Sequence, residues 1–290
     1  MISVIITAYR EERSIGRAIQ AVLDQKIKSA EILVVAPDAL TLQAAKKFKQ
    51  VKILKDPGKG KPVALNLAFS KVNTKSEFII LTDGDVYMAE NAISNLLARF
   101  SNEVGAVSGH PVSLSSRNSL LGYASHNFTD WWDWMRMKQE RKNNLLICSG
   151  YLFAMRNGII KSIPEDALSD DAVISYGVFQ KGWNMRYASD AVVYVKYPTT
   201  FTDWLKQKRR SAGGYLQTKK YFHHMPKTRS FIKEAQHATA WVLIYPKSLK
   251  ELFYTIILFG MRMALWLAIY LDKVRGKKFG QIWQRVETTK

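Results

Sequence analysis

A single cysteine, Cys148, stands in a chain of 290 residues. One thiol allows no internal disulfide framework and suits a reducing compartment. Glycine-rich phosphate loops are also missing. No Gly-x-Gly-x-x-Gly follows the first strand, which argues against a dinucleotide-binding dehydrogenase. Gly58-Lys-Gly-Lys61 has neither the spacing nor the hydroxyl residue of a P-loop. No internal repeat or low-complexity tract is present, and His223-His224 has no partner at metal-ligand spacing, so the pair reads as surface. The chain runs straight into Ile2-Ser-Val-Ile-Ile-Thr7 with no basic leader and no cleavage site. No signal peptide is therefore expected, and the cytoplasmic side is the expected location. Acidic residues are scarce, 24 against 43 Lys and Arg, for a formal net charge of +19. Such a charge attracts nucleic acid, anionic lipid or phosphorylated small molecules.

What is present is an alternation of strand and helix patterns. Strands are predicted at Ile2–Thr7, Glu31–Val35, Val51–Leu54, Phe78–Thr82 and Val104–Ser108. Between them, Ile15, Ile19, Val22 and Leu23 form one apolar helical face, and Leu40–Phe48, Pro62–Phe69 and Ala89–Phe100 read as helices. This βαβ series predicts an α/β fold, a doubly wound, mostly parallel sheet with helices on both faces. Further on, Leu120–Lys138 reads as an aromatic-rich helix, Cys148–Met155 as a strand and Asp171–Gln180 as a helix. Met185–Ala188 and Ala191–Lys196 read as two short strands, and Phe201–Tyr221 as a basic amphipathic helix.

The most informative residues are Asp83-Gly84-Asp85. Alone, this tripeptide is more often a solvated turn. Here it closes the buried strand pattern Phe78–Thr82, and ligands of open α/β sheets gather outside the carboxyl ends of such strands. In an extended stretch positions i and i+2 face the same way. Asp83 and Asp85 can then share one hard divalent cation, Mg²⁺ or Mn²⁺, and that cation can hold a diphosphate.

The C-terminal part differs in character. Leu252–Leu271 is an apolar run of about 20 residues, long enough to cross a hydrocarbon core. Arg262 sits at its middle and basic residues flank both ends, Lys247 and Lys250 before, Lys273, Arg275, Lys277 and Lys278 after. A buried helix of a soluble domain would satisfy the same pattern. The central Arg and the two positive flanks argue against a simple crossing. The expectation is a helical segment, 223–290, lying in or dipping into the cytoplasmic leaflet, monotopic or peripheral, with a single span as the alternative.

Taken together, residues 1 to about 217 resemble family 2 glycosyltransferases of the GT-A fold. Thr7-Ala-Tyr-Arg-Glu-Glu12 is similar to the family's opening motif, which implies substrate contacts for Ala8, Tyr9 and Glu11. Asp38, after Val34-Val-Ala-Pro37, matches the acidic residue that contacts the nucleotide base. Gly58-Lys-Gly-Lys-Pro-Val-Ala-Leu-Asn66 resembles the block near the diphosphate, with Lys61 as its cation. Asp83-Gly-Asp85 matches the metal-binding Asp-x-Asp. Ser169-Asp-Asp-Ala172 stands where cellulose, chitin and hyaluronan synthases have Thr/Ser-Glu-Asp-Ala, and Gln207-Lys-Arg-Arg-Ser211 aligns with their Gln-x-x-Arg-Trp. The resemblance implies a GT-A domain over 1–222.

The chemistry it implies is specific. Charge builds on the departing diphosphate, so a cation and fixed donors there lower the barrier. Asp85 is the first metal ligand, with Asp83 sharing the metal or holding the ribose. Lys61 and Arg210 pair with phosphate oxygens, and Gln207 and Arg209 belong to the same substrate-binding block. Asp171 is the catalytic base, beside Asp170 as a like charge that raises its pKa. On local sequence alone, Asp170-Asp171 would simply cap a helix. Ser211 replaces the Trp on which polymerising relatives stack the acceptor sugar, which points away from long-chain synthesis. The expected reaction is an inverting transfer of a hexose from GDP-mannose or UDP-glucose to a lipid or lipid-linked acceptor at an anionic membrane surface. A polysaccharide synthase-type transferase, a nucleotidyltransferase, a basic nucleic-acid-binding protein and an inert membrane scaffold are the competing readings. No nucleic-acid motif accompanies the charge, so no nucleic-acid partner is expected.

Overall fold

The computed structural model describes residues 1–141, 145–224, 241–242, 244–277 and 286–289. Its elements are β1 (Ile2–Thr7), α1 (Ile15–Leu23), β2 (Ala30–Ala36), α2 (Ala39–Ala45), β3 (Val51–Lys55), α3 (Lys61–Lys71), β4 (Phe78–Asp83), β5 (Val86–Met88), α4 (Ala92–Leu97), β6 (Val104–Ser113), α5 (Leu120–Arg141), β7 (Leu152–Arg156), α6 (Asp170–Gln180), β8 (Asn184–Val195), α7 (Phe201–Tyr221) and α8 (Leu249–Val274). The eight strands form one sheet in the order β3-β2-β1-β4-β7-β6-β8-β5. The pairs β1–β2, β1–β4, β2–β3 and β6–β8 are parallel. Only β7 and β5 run against the rest.

Strand alternation divides the apolar residues between the two faces. Ile5, Leu33, Ile79 and Leu81 join Ala64 and Leu65 of α3 and Ile174 of α6 in one core. Their chain neighbours Val4, Ile6, Ile32, Val34 and Ile80 join Ile15 and Ile19 of α1, Leu42 of α2 and Ile93 of α4 in the other. Both faces of the central strands are therefore dry, which is why they read as unbroken apolar runs.

Three departures from the sequence expectation concern the sheet. β5 was not anticipated: three residues carry no periodicity, and the strand exists through its antiparallel pairing with β8. The two short strands expected after Met185 are one strand, β8, bulged where the register jumps from Ser108↔Tyr187 to His110↔Val192. The strand expected from Cys148 begins only at Leu152. Leu145 to Cys148 are buried but unpaired with the sheet, since burial alone imitates a strand signal.

The helix α8 lies along α7 and α5. Met261, Leu265 and Ile269 of α8 pack with Trp204 and Ala212 of α7 in a third cluster. Tyr123 and Thr255 share a hydroxyl hydrogen bond of 2.6 Å, and Arg117 meets Glu251 at 3.4 Å. The opposite face is apolar and bare: Phe253, Ile256, Phe259, Leu267 and Tyr270 are all exposed. Leu249–Asp272 is long and apolar enough to cross a membrane by length and composition. Of the apolar residues 238–245 that precede Pro246, 238–240 and 243 lie outside the described residues, as does the flanking Lys278.

Candidate active site

The carboxyl ends of β1 and β4 and the first turn of α6 converge on one cavity of about 550 Å³. Asp83, last residue of β4, lies beside Thr7, last residue of β1. The Thr7 hydroxyl donates to Asp83 Oδ1 at 2.9 Å. Asp83 and Asp85 both line the cavity. Gly84 between them is required by crowding. A Cβ there would stand 2.8 Å from the Ala8 Cβ and inside contact distance of the Glu11 carboxylate. The Gly84 N–H donates to the Thr7 carbonyl at 2.9 Å, which fixes the turn.

Lys61 opens α3 directly after Gly60, whose φ of 110° excludes most side chains. Its ammonium lies 2.7 Å from Asp83 Oδ1 and 3.2 Å from Asp170 Oδ2. One lysine thus ties the end of β4 to the start of α6. Burial opposes its charge, but Asp170, Asp83 and Asp171 outweigh that and hold the ammonium well above its ordinary pKa. Asp170 behaves oppositely. Burial, then Asp171 and Asp83 as like charges, push its carboxyl up in spite of Lys61. Its buried Oδ2 has the ionic contact with Lys61 but no hydrogen bond.

Asp171 is held from three directions. The Ser169 hydroxyl and the Ala172 N–H donate to Oδ1, and the Gly150 N–H donates to Oδ2 at 3.2 Å. Helix N-terminal dipoles favour a negative charge here. The capping interaction and the position in the cavity coexist in this residue, so the local reading and the chemical one do not compete.

Ala8, Tyr9, Glu11, Lys61, Asp83, Asp85, Asp170, Asp171, Gln207 and Arg210, all expected from sequence, line this single cavity. Two expected residues do not. Arg209 points to the other side of α7 and forms an ion pair with Asp272 of α8. Helical phase explains it: 207, 210 and 211 share a face, and 209 falls about 100° away from 210. Asp38 is the N-cap of α2, and its oxygens accept from the Thr41 N–H at 2.9 Å and the Arg10 N–H at 2.8 Å. It therefore braces the loop that carries Tyr9 without reaching the cavity. Asp56 lines the cavity instead, held by the Gly58 N–H at 2.8 Å. Burial pushes its carboxyl up, and the nearby Asp38 adds to the rise.

Sequence reasoning did not single out Tyr151, Tyr197 or Phe128, which complete an aromatic wall of the cavity with Trp132. Burial, followed by the charges of Asp85 and Asp83, raises the Tyr151 phenol above its usual range, and Arg210 opposes this. Trp132 stacks with Tyr215 at 6.3 Å and 26°. An indole from α5 thus faces the cavity that Ser211 also lines. The chain returns there as well, since Val286 and Thr289 line the same space. Asp203 anchors this return by accepting from the Glu287 N–H, the Thr288 N–H and the Thr288 hydroxyl, each at 3.0 Å.

A sequence model described as glycosyltransferase like family 2 matches residues 1–214. The chain belongs to this family. It is 27% identical over 231 residues to a probable glycosyltransferase, YdaM, of Bacillus subtilis, covering 73% of this chain and 54% of the relative. It is 21% identical over 244 residues to the poly-beta-1,6-N-acetyl-D-glucosamine synthase of Staphylococcus aureus, covering 79% of this chain and 58% of that protein. The chain therefore spans little more than half the length of these curated relatives. Among solved structures, S. aureus TarS 1–349 superposes with a TM-score of 0.50 at 16% identity, over 91% of this chain and 80% of that one. GalNAc-T7 with UDP, GalNAc and Mn²⁺ superposes with a TM-score of 0.51 at 14% identity, over 82% of this chain and 54% of that one. The sheet has the GT-A fold of these glycosyltransferases.

Among the described residues no cluster of three or more His, Cys, Asp or Glu forms a ready cage. What the cavity offers is Asp83 and Asp85, hard oxygen ligands separated by one residue. That donor set suits Mg²⁺ or Mn²⁺ when substrate phosphates and water complete the shell.

Proposed function

We propose that this glycosyltransferase is metal-dependent and inverting, and that it moves a hexose from GDP-mannose or UDP-glucose to a lipid or lipid-linked acceptor at the cytoplasmic face of the membrane. One observation carries the reading: Asp83 and Asp85 share a cavity with Asp171. A leaving-group site and a base are thereby within reach of one sugar.

In this reading Asp85, with Asp83, would hold a divalent ion, which would supply positive charge against the donor diphosphate. Lys61 and Arg210 meet the remaining phosphate oxygens, Arg210 through its planar fork. Tyr9 and Glu11 line the donor side, and Asp38 sets the loop that carries them. Asp171 takes the proton of the acceptor hydroxyl. The oxygen forms its bond to the anomeric carbon as the bond to the diphosphate breaks, and the electron pair leaves with the nucleoside diphosphate. Attack opposite the leaving group inverts the centre, and no covalent enzyme intermediate is needed. Trp132, stacked on Tyr215, offers the acceptor sugar an aromatic face in place of the residue that Ser211 replaces. The GT-A domain over 1–222 carries the chemistry, and the helical region 223–290 carries membrane contact through the bare face of α8.

The test is a pair of variants read by two assays. Asp171→Asn is expected to keep the thermal shift given by a nucleoside diphosphate with Mn²⁺ and to lose transfer by about 10²–10⁴-fold. Asp85→Ala is expected to lose that metal-dependent shift. Near-normal turnover in Asp171→Asn overturns the assignment of the base.

A further inference from the structure

Arg136 of α5 stands in the wall of the main cavity, one turn after Trp132, and has no part in the transfer chemistry proposed above. It is 5% exposed. A guanidinium keeps its charge when buried, so it needs partners there. Its Nε donates to the Ile147 carbonyl at 3.1 Å. The guanidinium carbon lies 5.7 Å from the centre of the Trp132 ring and 5.9 Å from that of Tyr187. These ring faces and the carbonyl ease the burial of the charge. Its Nη1 is buried and has no hydrogen-bond partner among the described residues.

The acids that could neutralise it are engaged elsewhere. Asp133 and Glu140 lie one turn before and one turn after it on α5, the spacing at which helical charges pair. Both turn to Tyr187 of β8 instead. The Tyr187 hydroxyl donates to Asp133 Oδ1 at 2.6 Å, and its N–H donates to Glu140 Oε1 at 3.1 Å. Asp133 has His110 as its ionic neighbour, at 3.8 Å, and not Arg136. A second unmet group shares this wall. The Tyr197 hydroxyl is buried, and among the described residues it has no hydrogen-bond partner, yet Tyr197 lines the cavity. Burial, then the neighbouring Tyr151, push its phenol up, and the charge of Arg136 opposes them, so the two groups are within electrostatic reach. Buried donors left unmet are unfavourable unless a ligand meets them.

Arg136 is also close to Asp171 along the chain that both hold. The Ile147 carbonyl bound by Arg136 and the Gly150 N–H bound by Asp171 lie on one loop, with Cα atoms at most about 11 Å apart. We propose that Arg136, with the Tyr197 hydroxyl, recognises an anionic oxygen group on the acceptor, a carboxylate or a phosphate borne by the sugar whose hydroxyl faces Asp171. This deepens the transfer reading given above and rests on it: the acceptor class becomes an acidic sugar. A planar fork matches either oxyanion, and the phenol supplies a further donor. The anion takes no part in the bond changes. Asp171 takes the proton of a neighbouring hydroxyl, the new bond forms at the anomeric carbon of the donor hexose, and the nucleoside diphosphate leaves with the electron pair. The acidic group stays bonded to its sugar and sets the ring beside Trp132.

The test titrates the full chain by calorimetry with methyl glucuronide, glucose 1-phosphate and methyl glucoside, in Mn²⁺ and excess UDP or GDP so that the donor phosphate site is filled. At least one acidic probe should bind about tenfold or more tightly than methyl glucoside, and the tighter of the two names the group. Arg136→Gln should abolish that preference and leave methyl glucoside unchanged. Arg136→Lys should keep part of it, and Tyr197→Phe should weaken the acidic probe by about a few-fold. A brace that merely holds Ile147 would instead lower the melting temperature of both Arg136 variants and weaken all three probes together. That pattern, equal affinity of the parent for acidic and neutral probes, or a preference that survives Arg136→Gln overturns the proposal. The thermal shift that UDP or GDP gives the parent with Mn²⁺, measured on the same preparations, reads the donor site. Its absence would count against the transfer reading instead, so the two ideas fail separately.

Discussion

The two halves of the cavity that the proposed reading assigns to donor and acceptor are built on different principles. On the donor side, Asp83, Asp85 and Lys61 sit at the ends of β4 and α3, on a sheet whose two faces are both buried. Their side chains are fixed by short polar contacts, Thr7 to Asp83 and Lys61 to Asp83. On the acceptor side, α5, α7 and α8 offer rings and basic side chains, and the anchors are Trp132 on Tyr215 and Lys208 over Phe128. The first half is suited to holding one anion in one place. The second is suited to a larger, partly apolar partner, for which area matters more than a single contact. In the reading proposed above, the transfer chemistry belongs to the sheet ends and partner choice to the helices added to them.

The sharpest way to break this contrast is at Lys61. Lys61→Met should reduce transfer by about 10²–10³-fold, because a fixed donor to the leaving group is lost. It should also destabilise the fold by about 3 kcal/mol, since Asp83 and Asp170 are left facing each other without their shared cation. The pH dependence has a definite sign. The raised Lys61 pKa means its contribution is present below the unfolded lysine value and is lost only as pH rises through the folded one. On the acid side the benefit fades as the carboxylates protonate, Asp170 first because its pKa is raised. The stability gap between Lys61→Met and the parent, followed by thermal unfolding, should therefore narrow from pH 7 to pH 4. A gap that widens on acidification would contradict the assigned pairing.

Asp203 tests the acceptor side more gently. Burial opposes its charge, but the Thr288 N–H, Lys206, the Thr288 hydroxyl and the Glu287 N–H hold its carboxyl below the usual range. Such a group stabilises above its unfolded pKa, and the stabilisation is lost as pH falls through the folded value. Asp203→Ala should lower the melting temperature by about 5 °C at pH 7 and by less at pH 3. It should also alter the acceptor KM several-fold while leaving the donor KM in place, because Val286 and Thr289 border the cavity on this side. An equal change in both constants would show that the two halves are not separable.

The smallest effect concerns the outer face of α8. Ile256→Glu combined with Leu267→Glu should cut binding to anionic vesicles by a few-fold to tenfold in a sedimentation assay and leave transfer to a soluble acceptor intact. Vesicle binding unaltered by both charges would remove α8 from the membrane contact.

Much of this arrangement was legible beforehand, and the reasons are physical. The central strands are buried on both faces, so they appear as continuous apolar runs, and the acidic pair follows the end of one of them. The Lys61 block and Asp171 were recoverable because their spacing matched a known family. What escaped depends on phase or on tertiary contact. Arg209 and Arg210 are neighbours in sequence but stand on different sides of α7, and a motif does not state which side faces inward. Asp38 carries the expected charge, but its oxygens are occupied by N–H groups of Arg10 and Thr41. β5 exists only because β8 lies beside it. The aromatic-rich stretch Leu120–Lys138 does not by itself state which ring faces a site. It required the packing of Tyr215 to show that Trp132 lines the cavity.

The lysine shared by β4 and α6 has one more consequence. Any incoming diphosphate competes with Asp83 and Asp170 for the same ammonium, so the anion that wins it loosens a tether between the sheet and the helix bearing Asp171. In the reading proposed above, arrival of the sugar nucleotide would then adjust the proton acceptor, and nucleotide first, alcohol second is the order this competition would favour.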